Sequence, residues 1–323
     1  MSELGLHRAR VSAGEMAYLD EGDPGKPAVV FLHGFPTSSH LWRELVPLFA
    51  PWMRAIAPDL LGCGNSSGPD APRLGVRAQA GYVRELLAGL GIERFAAVGH
   101  AEGGGIAQLL ALEGGVEALV LVDAVALDAR SPILDARSPI LDARSPIAPR
   151  AADGLFREAR PDARETIDAF LDRAVARRER MTGELREPYL LPFEGTDGAR
   201  AFERLLRAAA GAGELPSVGD LSRIACPTLI LWGEEDPFLP VELAERLLEA
   251  IETSSLAILP GCSHLLPVDA SETVASLAFE YLRSQYLGRP HSHVEPGRVM
   301  IELERRPPEG RPGPDANRPG GTG

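Results

Sequence analysis

Gly99-His100-Ala101-Glu102-Gly103 sets a glycine two residues to either side of one central position, between an apolar run at 95–98 and a helix-period segment at 104–112. Glycines at that spacing let the backbone bend sharply from strand to helix and lift the central side chain out of the turn. A serine, aspartate or cysteine there would be a nucleophile, because each carries a lone pair able to attack carbon. Ala101 carries only a methyl group. The pattern has the shape of a covalent catalyst without its attacking atom.

Two residues further along supply the chemistry such an atom would need. Asp236 follows the apolar run 227–232, and His264 ends Pro260-Gly261-Cys262-Ser263-His264 after the run 255–259. A carboxylate bonded to an imidazole holds its tautomer and leaves the far ring nitrogen as a general base. Taken singly, an Asp before Pro is a turn former and a lone His is most often structural. Glu102, next to Ala101, would serve as a base or nucleophile only if the turn relaxed, since the bend directs it elsewhere. Cys63 and Cys262 are further thiols near the expected pocket. Gly62-Cys63-Gly64 lacks the third glycine and the helix start of a dinucleotide loop. His33 and His100 sit in glycine-flanked turns, where a ring supports loop geometry.

These residues need a frame. Apolar runs at 28–32, 54–57, 95–98, 118–122, 227–232 and 255–259 read as buried strands, and continuous apolar runs suit a parallel sheet covered on both faces. Amphipathic segments at 41–50, 76–90, 104–112 and 241–251 read as the helices between them. Residues 6–11 and 15–19 flank Ser12-Ala13-Gly14 as an antiparallel hairpin at the sheet edge. The expected fold class is α/β: a mostly parallel, doubly wound sheet with an N-terminal antiparallel hairpin and a helical lid. The core is expected at 1–123 and 222–287, with the lid at 124–221, where a long helical excursion would cover the carboxyl edge of the sheet.

The lid opens with Leu-Asp-Ala-Arg-Ser-Pro-Ile three times in tandem, at 127–133, 134–140 and 141–147. A seven-residue period invites a coiled coil, but Pro132, Pro139 and Pro146 would each break the helix. The repeat is read as a duplication that lengthened a surface loop. After residue 287 the composition turns to Pro, Gly, Arg and Glu, and 288–323 is read as a disordered tail, since it cannot bury enough apolar surface to offset its ordering entropy. Residues 298–304 alternate like one short strand, suited to a sheet edge or to a partner subunit in a homodimer.

At 323 residues and a net charge of −13, the chain carries no basic stripe for a phosphate backbone, so nucleic acid is excluded as a partner. Arg173–Arg180 is interleaved with acidic and apolar residues and reads as a wet helix face. No stretch reaches the about 20 apolar residues of a membrane span, and the N-terminal residues form no apolar h-region; a cytoplasmic location without membrane contact is expected. The three cysteines are widely spaced and form no metal or redox pair, so no metal is expected.

Four motifs in order carry a resemblance: Val29-Val30-Phe31-Leu32-His33-Gly34-Phe35-Pro36, the turn at 99–104, Leu229 to Leu239 and Pro260 to His264. Together they resemble the α/β-hydrolase family, and more narrowly its lidded branch of haloalkane and haloacetate dehalogenases, epoxide hydrolases and small ester or C–C hydrolases. The resemblance implies that Ala101 stands at the nucleophile position, with Asp236 as the orienting acid and His264 as the base. It implies an oxyanion hole from the amides of Phe35 and Glu102, which are backbone groups and survive any side-chain change. Asp123 occupies the alternative acid position. No cofactor is implied, and the partner is a small, mostly apolar ester, epoxide or halide. The family's usual halide-holding Asn is Phe35 here and the Trp after the nucleophile is Glu102, which departs from a halide site.

Three readings follow from Ala101: an inactivated covalent hydrolase, natural or engineered, whose parent carried Asp or Ser; a non-covalent His-Asp general-base enzyme such as a lyase or cyclase; or a ligand-binding pseudoenzyme. The duplicated loop itself carries no chemistry. Deleting two of the three copies should leave the melting temperature and ligand affinity unchanged, as thermal denaturation and titration would check; loss of either would give the repeat a structural or binding role.

Overall fold

A computed structural model describes residues 5–68, 74–127, 163–209, 215–288 and 298–300. The chain opens with the hairpin β1 (Leu6–Val11) and β2 (Gly14–Glu21), paired antiparallel. The apolar runs then become β3 (Ala28–Leu32), β4 (Arg54–Pro58), β5 (Phe95–His100), β6 (Val116–Val122), β7 (Thr228–Gly233) and β8 (Ser254–Leu259). Every residue of β3, β5, β7 and β8 is buried, the burial expected of strands covered on both faces. Among the described residues the sheet has nine strands in the order β1-β2-β4-β3-β5-β6-β7-β8-β9, and β2 alone runs against the rest.

Helices close both faces. After a single 3-10 turn at Ser39–Trp42 come α1 (Val46–Phe49), α2 (Val76–Gly89) and α3 (Glu102–Glu113). Between β6 and β7 lie α4 (Ala163–Ala174), α5 (Gly183–Leu190) and α6 (Gly195–Ala209), followed by the short α7 (Val218–Leu221). Then α8 (Val241–Ala250) packs on β7 and β8; α9 (Leu266–Asp269) follows β8, and α10 (Ser271–Gln285) reaches β6 and β7.

Some local expectations are corrected. Residues 41–50 do not form one helix: the 3-10 turn and α1 replace it. Pro47, which has no N–H to donate, is tolerated only in the first turn of a helix, and it stands there in α1. The third helix begins at Glu102 rather than at 104. Of residues 298–304, only Arg298–Met300 is described, as β9, pairing parallel with β8 at the sheet edge. The rest of the tail, and the tandem repeat beyond Leu127, lie outside the described residues.

The register aligns the strand ends that matter. Leu32 of β3 pairs with Gly99 of β5, and His100 pairs with Val122 of β6. The loops holding Phe35, Ala101, Asp123, Asp236 and His264 therefore all leave the carboxyl edge of the parallel strands, where open α/β sheets bind ligands. The first turn of α3 enters that edge at close range. A Cβ on Gly103 would lie 2.1 Å from the Leu32 carbonyl oxygen, and one on Gly99 would lie 2.4 Å from the Gly103 carbonyl oxygen.

Two glycines in helices should thus respond oppositely to alanine. Gly103→Ala forces backbone against backbone and is expected to cost about 2 kcal/mol or more. Gly81 in α2 has nothing within 4 Å of its would-be Cβ, and Gly81→Ala is expected to stabilise by about 1 kcal/mol through helix propensity. Urea unfolding of the two variants measures both signs.

Candidate active site

Ala101 is the residue at the bend. Its backbone sits at φ 48°, ψ −119°, a region that side-chain-bearing residues rarely occupy. Four backbone hydrogen bonds hold it. Its N–H donates to the Val122 carbonyl at 3.2 Å, and its carbonyl accepts from Gly104 (2.9 Å), Gly105 (3.3 Å) and Val125 (3.0 Å). The methyl group is wholly buried. Nothing in that hold depends on the side chain at 101.

Asp236 and His264 are brought together. His264 Nδ1 lies 2.8 Å from Asp236 Oδ2, and both side chains are enclosed. The other carboxylate oxygen, Oδ1, accepts from the N–H groups of Phe238 (2.8 Å) and Leu239 (3.0 Å). With Nδ1–H donated to the carboxylate, Nε2 is left as a lone pair; it is buried and has no hydrogen-bond partner. Its backbone is fixed as well. His100 Nε2 donates to the His264 carbonyl at 2.9 Å, and the two rings stand 4.9 Å apart. Burial, and then the neighbouring His264, push the His100 imidazole well below the ordinary histidine pKa, so it holds that bond as a neutral ring.

The other groups are accounted for one by one. Asp123, at φ 41°, accepts from the Gly233 N–H at 2.8 Å and makes no bond to His264. Burial and then the charge of Asp236 push its carboxyl well above the ordinary range, which favours the neutral acid. His33 is locked in a loop: Nδ1 donates to the Gly34 carbonyl and Nε2 accepts from the Leu60 N–H, each at 2.9 Å. Burial raises the Cys63 thiol far above its usual value and the Cys262 thiol to about 12, so neither is a thiolate at neutral pH. The Gly62-Cys63-Gly64 turn closes on Asp59, whose buried carboxylate accepts from the N–H groups of Ser39 (2.7 Å) and Asn65 (2.7 Å).

Glu102 corrects the expectation for its side chain. The bend does not send it away: Glu102 Oε2 accepts from the Phe35 N–H at 3.0 Å, in a buried position. Gly34 allows this approach. A Cβ there would lie 2.6 Å from the Ala101 methyl carbon and 2.8 Å from Glu102 Oε2. The carboxylate therefore stands beside the methyl group, on the amide of Phe35.

The walls are aromatic. Phe35 packs on Phe193 (6.1 Å, edge-on) and Phe202 (5.8 Å), which touch each other at 5.9 Å. Phe170 of α4 stacks on Phe238 at 5.1 Å, and both present edges to the His264 ring, at 6.1 and 5.3 Å. Three of these five rings come from 163–209, so the segment between β6 and β7 contributes directly to the surroundings of the dyad.

Asp269 ties that segment down and escaped the sequence reading. Its buried carboxylate accepts from Ala176 (3.0 Å), Arg177 (2.9 Å) and Ser263 (2.8 Å), and the Leu265 N–H donates to the Ala174 carbonyl at 2.7 Å. The available signal was one acid within the apolar stretch Leu265-Leu266-Pro267-Val268, a charge that burial obliges to find donors. A cleft of about 310 Å³ between α4 and α5 shares no residue with this site. Arg164 and Arg186 in its walls are already paired, Arg164 with Glu187 (2.9 Å) and Arg186 with Asp168 and Asp172 (both 2.6 Å).

Chemically, the arrangement offers an imidazole nitrogen able to act as a base, beside a carboxylate with both oxygens satisfied, in apolar surroundings next to a strained turn that presents a methyl group. Among the described residues, no helix is long and apolar enough to cross a membrane.

Comparison with known proteins agrees with this architecture. A haloalkane dehalogenase of Bradyrhizobium diazoefficiens is 28% identical over 290 residues, covering 84% of this chain and 92% of that one. A soluble epoxide hydrolase of Corynebacterium sp. is 36% identical over 126 residues, 38% of this chain and 43% of that one. The solved structure of a hydrolase from Pseudomonas aeruginosa PA01 shares the fold at a TM-score of 0.70 and 24% identity, covering 86% of this chain and 98% of that one. Residues 29–277 match the Alpha/beta hydrolase family, and the chain belongs to it.

Proposed function

We propose that this chain is a hydrolase scaffold for a small, mostly apolar ester, epoxide or halide, in which Ala101 replaces the nucleophile and abolishes covalent hydrolysis. The observation that carries this reading is His264 Nε2. It is a buried lone pair, oriented by Asp236 and without a partner, next to a turn whose strained backbone at Ala101 serves to present a side chain. A hydroxyl or carboxylate at 101 would supply what the imidazole lacks.

In this reading Asp236 orients His264, His264 takes a proton from the attacking group or water, and the amides of Phe35 and Glu102 receive the developing negative charge. Segment 124–221 serves as the lid, and its phenylalanines exclude water and favour an apolar substrate. No cofactor takes part, and the scaffold belongs to the cytoplasm, where it takes a small-molecule ligand, as a monomer or homodimer.

The same lone pair supports a second reading. A dyad complete without residue 101 is able to abstract a proton from a bound ligand and release product with no covalent step.

Loss of a triad nucleophile removes about 10⁶ in turnover. Ala101→Asp and Ala101→Ser are therefore expected to raise hydrolysis by several orders of magnitude, one of them on its own substrate class in a panel of aryl esters, epoxides and haloalkanes. Adding His264→Gln to the active revertant should remove that gain. If both revertants fold, by circular dichroism, and neither turns over any member of the panel, the covalent reading fails. A native activity of the Ala101 chain that His264→Gln abolishes would establish the second.

A further inference from the structure

We infer that the side chain of Glu102 is an internal occupant of the oxyanion arm, so that a carbonyl or carboxylate ligand must displace the chain's own carboxylate before it can use the Phe35 amide. The geometry is direct. Phe35 N–H donates to Glu102 Oε2 at 3.0 Å, and an amide has one proton to give. The occupied arm adjoins the reacting position, since a Cβ on Gly34 would lie within 3 Å of both the Ala101 methyl carbon (2.6 Å) and Glu102 Oε2 (2.8 Å).

Two costs fall on an oxyanion approaching this site. It loses the hydrogen bond already in place, and it meets a like charge in a buried, apolar setting where screening is weak. A neutral apolar ligand packing on the rings beside Phe35 or His264 meets neither cost. Glu102 is thus a specificity-determining residue. It discriminates against ligands that place an oxygen on the Phe35 amide and leaves purely apolar recognition untouched. The backbone amide of Glu102 keeps its own place at the first residue of α3 whatever the side chain does.

The inference deepens the hydrolase reading but does not need turnover to be tested. Calorimetric titration of the Ala101 chain with benzoate, whose carboxylate seeks the arm, and with toluene, which fills the same walls without an acceptor, separates the two effects. A hydrogen bond to a charged group is worth about ten- to hundredfold in affinity. Glu102→Ala is expected to tighten benzoate by that factor and to leave toluene unchanged. Glu102→Gln, isosteric and neutral but still an acceptor, should tighten benzoate less, and it guards against a packing defect in the alanine variant. In the Ala101→Ser background, Glu102→Ala should raise kcat/KM on phenyl acetate by the same factor.

Benzoate affinity unchanged or weakened in both Glu102 variants overturns the inference, as does a parallel change in toluene binding. If neither Ala101→Ser nor Ala101→Asp turns over any ester, epoxide or haloalkane while benzoate tightens, the hydrolase reading falls and the internal occupant stands. If esterase activity is present and neither measurement responds to Glu102, the inference alone falls.

Discussion

Everything at the carboxyl edge depends on the close approach of the first turn of α3 to the ends of β3 and β5. There the Gly103 Cα faces the Leu32 carbonyl with no room for a methyl group. That contact fixes the bend at Ala101, whose φ and ψ cost on the order of 1–3 kcal/mol. Four backbone hydrogen bonds, each worth about 0.5–1.5 kcal/mol net, more than offset it. Because glycines and main-chain groups build the turn, its shape is independent of the side chain it lifts. A chain can lose its nucleophile here and keep the site.

The bend also decides where charge goes. Buried carboxylates crowd this edge, and each is handled by a different device. Asp236 spends one oxygen on His264 and the other on two amides. Asp269 takes three amides from two segments. Asp123, with one amide and Asp236 close by, is pushed toward its neutral form. Glu102 completes the set by turning to the Phe35 amide. The outcome is an imidazole with an open lone pair inside aromatic walls, in an environment set against further negative charge.

Much of this was legible in the chain because burial on both faces leaves continuous apolar runs, and because strand ends in this fold are marked by glycine, proline or an acid. The strand before the Asp236 loop and the one before His264 could be read that way, and so could the glycines around Ala101. What escaped had no periodic signature. Asp269 looks like any acid until the loop of His264 and the end of α4 are seen to share it. Pro47 cut a smooth amphipathic segment in two. The phenylalanines of 163–209 gave no hint of which strand ends they would face.

The sequence by itself determined the mostly parallel sheet, the glycine-built bend and the methyl group at 101, since these follow from residue type and local spacing; Asp236 and His264 were singled out through the resemblance to the α/β-hydrolase family. Only the tertiary structure decided that Asp236 and His264 meet at 2.8 Å, that Phe170 and Phe238 wall the imidazole, and that the Glu102 carboxylate lies on the Phe35 amide. Those contacts join residues 26 to 94 positions apart or depend on one rotamer beside a glycine, and local propensity carries no information about either.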